Sequence, residues 1–487
     1  MKKTLTSLIA AALTAGAVMP FPAYAGDTES VLHDEDWSNY AEQSIRLENT
    51  PGLSVAAVSG SETGYRNWGY ADLKAQTPMT EDTPVHIGSC SKAFTALAVL
   101  LLQEEGKLSA EDSISDYIPW WHVTYHGQDA DVKIWQLLNH SSGLPYLAVG
   151  CYENADEEDI ARLAENMELA SEPGAEYRYI DFGYCVLAYL TETVSGMPYD
   201  EFVVKKIMQP IGMTHSGFDL PTAQGYHFFW GRQAEFEDVQ PQGNAGAALI
   251  VSTPADMVLW MKAQLGHLDL PEHLANAIAA SHERNQQHQP KNAPDTDYFN
   301  GWHQSADRIL WHGGQNPNFS TRVIIDPVHD TAVLAVSNSA ADTPYYAARS
   351  CYMMLSGYHS GHFPEIGRSL FGRCDLYASV ISIVLSGLLI ASVIMLLTQK
   401  KRLAKKNVTR AKEKTRLIVR LAVLLPLLCL AAALPCILGA AAGYSDFGYA
   451  AFRVWGLQSV TAACLLLDAW IVCLILTSIL RFRRAGE

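Results

Sequence analysis

The 487-residue sequence predicts an α/β (α+β) domain followed by three transmembrane helices. Three observations carry that prediction. Strand-like apolar runs stand at both ends of the first 374 residues with helical patterns between them, so a sheet is assembled from both chain ends around an inserted helical lobe. Three C-terminal apolar stretches are each long enough to cross a bilayer as a helix. The N-terminus has the layout of a secretory signal. The expected division is a signal peptide over 1–25, an exported domain over 26–374 and a three-helix membrane region over 375–487.

Taken in order, Lys2 and Lys3 precede an apolar run from Leu5 to Met19, and Ala23-Tyr24-Ala25 supplies small residues for cleavage after Ala25. Asp36 to Leu47 reads as a helix. Leu53 to Ser59 and Tyr65 to Tyr70 read as strands joined by a turn at Gly60 to Gly64. Val85-His86-Ile87-Gly88 reads as a short strand end, and Ala93 to Gln103 as a helix with Phe94, Leu97, Leu100 and Leu101 on one stripe. After a mostly helical middle, the polar stretch Ser281 to Asp297 reads as a surface loop whose His282 and His288 lack a third metal ligand. Strands return at Arg308 to Trp311, Thr321 to Asp326 and Ala332 to Ser337.

The expected spans are Leu376 to Leu397, Leu417 to Ala442 and Val454 to Leu480. Lys400, Lys401, Arg402, Lys405, Lys406, Arg410, Lys412, Lys414 and Arg416 lie between the first two, and Arg481, Arg483 and Arg484 follow the third. Loops this basic stay in the cytoplasm. An odd number of spans then carries the chain from an exported, periplasmic-side domain to a cytoplasmic C-terminus, a multi-pass protein of the cytoplasmic membrane with the lipid bilayer as partner. Asp468 falls inside the third span, where a carboxylate either serves function or packs against groups such as Ser459 and Thr461.

The chain carries a net charge of -16, and its basic residues concentrate behind residue 397, so the exported part is more acidic still. That balance argues against nucleic acid or anionic lipid as a partner of the exported domain. Of nine cysteines, Cys429, Cys436, Cys464 and Cys473 lie in spans. Cys90, Cys151, Cys185, Cys351 and Cys374 remain, an odd number without metal-ligand spacing. No cofactor or metal is called for, and a homo-oligomer is compatible with the sequence.

The chemistry centres on Ser89-Cys90-Ser91-Lys92. A serine with a lysine three residues later on a helix puts both side chains on one face, where the amine can take the hydroxyl proton. Cys90 then points into the protein. Acyl transfer also needs a second proton-handling group and two N–H donors for the oxyanion. The segment Pro173 to Asp181 ends in a tyrosine and a carboxylate two residues apart, Tyr179 and Asp181. Trp311-His312-Gly313-Gly314-Gln315 puts glycines on a strand, where backbone can approach a ligand closely.

With Gly88 to Lys92, Leu138 to Pro145, the Tyr179 segment, Pro210-Ile211-Gly212-Met213, Ser252 to Met257 and His312-Gly313-Gly314 in this order, the chain resembles the class C β-lactamase and penicillin-binding-protein-like serine hydrolases over nearly the whole exported domain. The resemblance implies an antiparallel sheet flanked by helices plus a helical lobe. It implies Ser89 as nucleophile, Lys92 and Tyr179 as the general bases and acids, the N–H groups of Ser89 and Gln315 as oxyanion donors, and His312, Gly313 and Gly314 as the far wall of the substrate cleft.

His312 to Ser320 together with three C-terminal spans, and Trp455-Gly456 at the third, resemble more closely the membrane-bound D-amino-acid-specific peptidases of the colibactin-activating type, which remove an N-acyl-D-asparagine from exported nonribosomal peptide prodrugs. The implied substrate is an N-acyl-D-aminoacyl peptide. Asp181 departs from those relatives, which carry asparagine or a small polar residue there. A free anion at that place would favour an amine or amide donor, hence a D-side chain other than asparagine. Asn316 and Asn318 stand as candidates for recognising a polar side chain, or as turn residues around Pro317. The same constellation also suits a D-alanyl-D-alanine carboxypeptidase, a β-lactamase, an esterase, or a membrane receptor acylated by a β-lactam.

Overall fold

The computed structural model describes residues 32 and 35–484, apart from 148–151, 153, 238–241, 293–296, 306, 359, 404–409, 442–454 and 456–457. The signal peptide, Cys151, Gly456, the middle of the basic loop and the adjoining ends of the second and third expected spans lie outside the described residues. The chain divides into two compact units, one of residues up to Ser369 without Phe228–Gly231, and one of Phe228–Gly231 with Leu370–Glu487.

The first unit opens with helix α1 (Glu35–Glu48) and strands β1 (Gly52–Ser59), β2 (Glu62–Asp72) and β3 (Thr77–Pro78). Late in the chain come β4 (Tyr298–Phe299), β5 (Trp302–Gln304), β6 (Leu310–Gln315), β7 (Ser320–Asp326) and β8 (Thr331–Ser337). They form one eight-stranded sheet in the order β4-β5-β6-β7-β8-β1-β2-β3, and each neighbouring pair is antiparallel. β1 is a nearly unbroken apolar run because both of its faces are covered. Leu53, Val55 and Ala57 face one core with Trp37, Ala41 and Ile45 of α1, whereas Ala56 and Val58 face the other. Alternation along β8 sends Val333 and Ala335 to the first core and Ala332, Leu334 and Val336 to the second.

The helical lobe sits on the second face. Helix α2 (Ser91–Glu104) is its axis, and every residue from Ser91 to Leu102 is buried. The expected single stripe is therefore too narrow: α2 is packed on all sides, as its near-continuous apolar sequence requires. Phe94 stacks on Trp260 of helix α4 (Pro254–Gln264) with ring centroids 3.8 Å apart. Helix α3 (Asp181–Ser195) packs beside α2 and stops at Gly196, whose φ of +70° suits a left-handed cap.

Some expected bounds shift, among them the turn at Gly60 to Gly64, since β2 already begins at Glu62. The strand expected at Arg308 to Trp311 begins only at Leu310 and runs to Gln315, because Arg308 adopts a φ of +65°, which no strand tolerates. The loop expected from Ser281 starts later, since Ser281 and His282 close helix α5 (Glu272–His282), and helix α6 (Thr343–Leu355) follows β8. Among the described residues every cysteine is free and no cluster of acidic, cysteine and histidine side chains could hold a metal ion.

The second unit contains three helices long and apolar enough to cross a membrane, α7 (Leu370–Leu403), α8 (Arg410–Ala432) and α9 (Gln458–Arg484). At 1.5 Å per residue even the shortest spans about 34 Å. The second apolar stretch breaks after Ala432 and resumes at Leu434–Ala441, where Pro435 lacks the N–H needed to continue α8. The Trp470 indole donates to Ser392 at 3.2 Å, and Glu413 is buried between Arg416 and Arg481. Of the partners expected for Asp468, Ser459 is otherwise engaged: its hydroxyl bonds to Asp375, and Asp468 Oδ1 is buried without a hydrogen-bond partner among the described residues.

Candidate active site

The short strand Val85–His86 pairs with Val251–Ser252, and the Ile87 N–H donates to Ile250 O at 3.0 Å. These pairs fix the chain just before Gly88, whose φ is +55°. Gly88–Cys90 then makes one 3-10 turn before α2 begins at Ser91. Strand β6 presses against this turn through its glycine. A Cβ on Gly88 would sit 2.6 Å from Gln315 N, and one on Gly314 would sit 1.9 Å from Ile87 O. The Gln315 N–H is thus brought alongside the nucleophile turn, as an oxyanion pair with the Ser89 N–H requires. Gly313 is less confined, since a Cβ there would first meet the end of the Arg322 side chain at 3.5 Å, an ordinary contact.

Lys92 is fully buried, and its Nζ lies 3.0 Å from Ser89 Oγ, 2.6 Å from Asp181 Oδ1 and 3.1 Å from Ala247 O. The Tyr179 side chain stands beside both Ser89 and Lys92, and Nζ lies 4.9 Å from the centre of its ring. Burial alone would push the Lys92 amine down, but Asp181 and Tyr179 more than offset it and hold the ammonium above the ordinary lysine value. Burial raises the Tyr179 phenol, and the nearby Lys92 only partly opposes this. The resting site therefore holds a lysine ammonium, an aspartate carboxylate and a neutral tyrosine around the serine. Cys90 points inward, as expected, with its Sγ 3.8 Å from His312 O.

Asp181, expected as a free anion facing substrate, is instead the counter-ion of Lys92, with its side chain 31% exposed. His312 lies on the wall, but it is buried, and burial lowers it well below the ordinary histidine value. Its ring is fixed by Gly313 O on Nδ1 at 2.7 Å and by the Tyr298 hydroxyl on Nε2 at 3.2 Å. Asn316 and Asn318 take the structural alternative. Both are buried: Asn316 Nδ2 donates to Ala248 O at 3.4 Å and its N–H to Phe319 O at 2.9 Å, closing the turn over Pro317. Asn318 Nδ2 donates to Phe236 O at 3.1 Å, and the side chain lies so close to Gly225 that a Cβ there would be 2.3 Å away.

Three contributors carry no sequence signal of their own. The Ala247 carbonyl is backbone. His140, held at a φ of +54°, accepts the Ile180 N–H on Nδ1 at 3.3 Å and the Arg178 N–H on its carbonyl at 2.8 Å, which fixes the strand of chain bearing Tyr179. Tyr298 is fully buried among the rings of His140, Tyr179, His303 and His312. The Leu138 to Pro145 motif pointed to this neighbourhood without showing that its histidine serves the tyrosine.

A sequence model of the beta-lactamase family matches residues 39–355. The chain belongs to the beta-lactamase family. Protein flp of Staphylococcus aureus (strain COL) is 25% identical over 316 residues, 61% of each chain. Unguisins hydrolase ungD' of Aspergillus campestris (strain IBT 28561) is 26% identical over 350 residues, 66% of this chain and 65% of that one. The chain thus spans less than two thirds of the length of these curated relatives. The octameric penicillin-binding protein homologue from Pyrococcus abyssi superposes with a TM-score of 0.58 at 22% identity, covering 72% of this chain and 81% of its own, and shares the fold. The serine, lysine and tyrosine expected from the sequence all lie within this family's domain and meet at one point.

Proposed function

We propose that this beta-lactamase-family chain is a membrane-anchored serine peptidase that cleaves the amide after an N-acyl-D-amino acid, maturing an exported nonribosomal peptide prodrug through an acyl-enzyme. Ser89 Oγ attacks the carbonyl, the N–H groups of Ser89 and Gln315 hold the oxyanion, and Lys92 and Tyr179 move the proton from the serine to the leaving nitrogen. Water then releases the acyl-D-amino acid by the same steps in reverse roles. In this reading residues 26–374 work on the periplasmic side of the cytoplasmic membrane, the C-terminus is cytoplasmic, and the helices beyond residue 375 hold the domain at the bilayer.

The observation that carries the choice of substrate is the neutral far wall. D-alanyl-D-alanine and β-lactams present a carboxylate beside the scissile bond, for which a cation on the wall is the natural receptor. Here that place holds a buried, neutral His312, and the one cation of the centre, Lys92, is already paired with Asp181. An internal amide with no carboxylate next to it suits such a wall. A relative named as a hydrolase of unguisins, together with three apolar helices, supports the reading further.

The test uses membranes bearing the full chain, incubated with N-myristoyl-D-Asn and N-myristoyl-L-Asn amides and followed by mass spectrometry, with Ser89→Ala as control. Cleavage of the D form alone, lost in Ser89→Ala, is the expected result. Equal cleavage of both enantiomers, or of neither, overturns it.

A further inference from the structure

The resting centre poses a problem of proton storage. An ammonium has no lone pair, so Lys92 as held here cannot accept the Ser89 proton. Tyr179 keeps its own. The groups facing Lys92 Nζ are Tyr179, Asp181 with Tyr184 and Cys185 behind it on α3, Cys90 on the nucleophile turn, His140 from the loop before Gly143, and His312 from β6. The two imidazoles are neutral, and burial raises both thiols and the Tyr184 phenol. Among the described residues, the one anion in contact with the amine is Asp181, at 2.6 Å.

We infer that Asp181 is a positioning residue for the reaction, the store that takes a proton from Lys92 so that the amine can act as the base for Ser89. The inference rests on the acyl-transfer reading above. One Lys92 N–H proton crosses the 2.6 Å hydrogen bond to Asp181 Oδ1, leaving an uncharged amine and an uncharged acid. A turn of the amine about its Cε–Nζ bond brings the freed lone pair to Ser89 Oγ, 3.0 Å away, where it takes the hydroxyl proton as the Oγ–C bond forms and the carbonyl oxygen becomes the oxyanion. Lys92 is then an ammonium again. When the oxyanion collapses and the C–N bond breaks, one Lys92 proton passes to the leaving nitrogen, directly or through the Tyr179 hydroxyl, and Asp181 returns its proton to Lys92. Every proton is accounted for, and no outside acceptor is needed.

The burial of the amine works in favour of this exchange. Desolvation opposes the charged pair and so lowers the cost of passing through its uncharged form, although the lysine rests as an ammonium. The Ala247 carbonyl accepts a third Nζ proton and so keeps the nitrogen in place between Ser89 and Asp181 while the amine turns.

The experiment follows the rate at which a fluorophosphonate probe labels the full-length protein in membranes, as a function of pH, for wild type, Ser89→Ala, Asp181→Asn and Asp181→Glu. The store predicts that Asp181→Asn slows labelling at pH 7 by about ten- to hundredfold and moves the acid limb up by about one pH unit or more, because the amine must then lose its proton to solvent. Asp181→Glu restores the limb to within a few tenths of a unit. A uniform loss at every pH marks a merely structural role and overturns the inference. Wild type labelling no faster than Ser89→Ala overturns the acyl-transfer reading itself, and the store with it.

Discussion

The carbonyl oxygen of Ile87 lies against the α-carbon of Gly314, so close that a Cβ on Gly314 would stand 1.9 Å from it. Both partners are backbone on the edges of packed elements, so neither can yield as a flexible side chain would. The contact sets how near the Gln315 N–H comes to Ser89. Gly314→Ala should lower the thermal stability of the exported domain by about 1–3 kcal/mol and reduce acylation at least tenfold. Gly313→Ala, with an ordinary contact of 3.5 Å to the end of the Arg322 side chain, should unfold within a degree or two of wild type. Calorimetry on the pair checks the contrast.

Tyr179→Phe keeps the ring that packs on His140 and Tyr298 and removes the hydroxyl beside Ser89 and Lys92. The variant should unfold at nearly the wild-type temperature while acylation falls about 10²–10⁴-fold. A fall in stability that matches the fall in rate would show the hydroxyl to be structural.

The histidines give a pH signature. Burial pushes His86 and His282 down to about 4 and leaves His140 and His312 well below the ordinary 6.5. The unfolded chain binds protons at these sites below pH 6.5 and the folded one does not, so stability present above 6.5 is lost as pH falls from 6.5 toward 4. Each site contributes a slope of about 1.4 kcal/mol per pH unit within that window. Urea unfolding at pH 7, 6 and 5 should show a steep decline, and His282→Gln, which keeps a group able to bond Gln264, should remove about one proton from the slope.

Phe94→Ala should cost about 3–5 kcal/mol, because the fully buried ring stacks at 3.8 Å on Trp260 and its removal leaves a void at the axis of the lobe. The loss should appear in folding and not in the pH dependence of labelling, which separates core packing from proton transfer.

Much of this was legible in the residues. The unbroken apolar runs of β1 and β8, the three long apolar helices, and the meeting of Ser89, Lys92 and Tyr179 follow from patterns dense enough to read. The strand pair Val85–His86 with Val251–Ser252 was not, because two residues carry no periodicity, and their pairing across the fold is what anchors the nucleophile turn. Asn316 and Asn318 look alike in sequence as polar groups near a glycine strand. Only their burial and backbone partners show them bracing the turn over Pro317. Asp181 was visible as a departure, but its carboxylate could be assigned to Lys92 only once α3 was placed beside α2. The Ala247 carbonyl, having no side-chain identity, could not be found from sequence at all.

The antiparallel ladder that joins Leu53 to Ser337 and Ser59 to Thr331 has a consequence for how the chain is made. β1 is synthesised early and can pair at once with β2, but its other edge stays open until residues 331–337 exist. For most of synthesis this edge is an apolar template able to recruit the same segment from another nascent chain. The ladder closes only about thirty residues before α7 begins, so the interval between a sealed sheet and membrane insertion is short. Overexpression should therefore aggregate the chain through β1, and a holdase that shields that strand would raise yield more than any added stability in the finished fold.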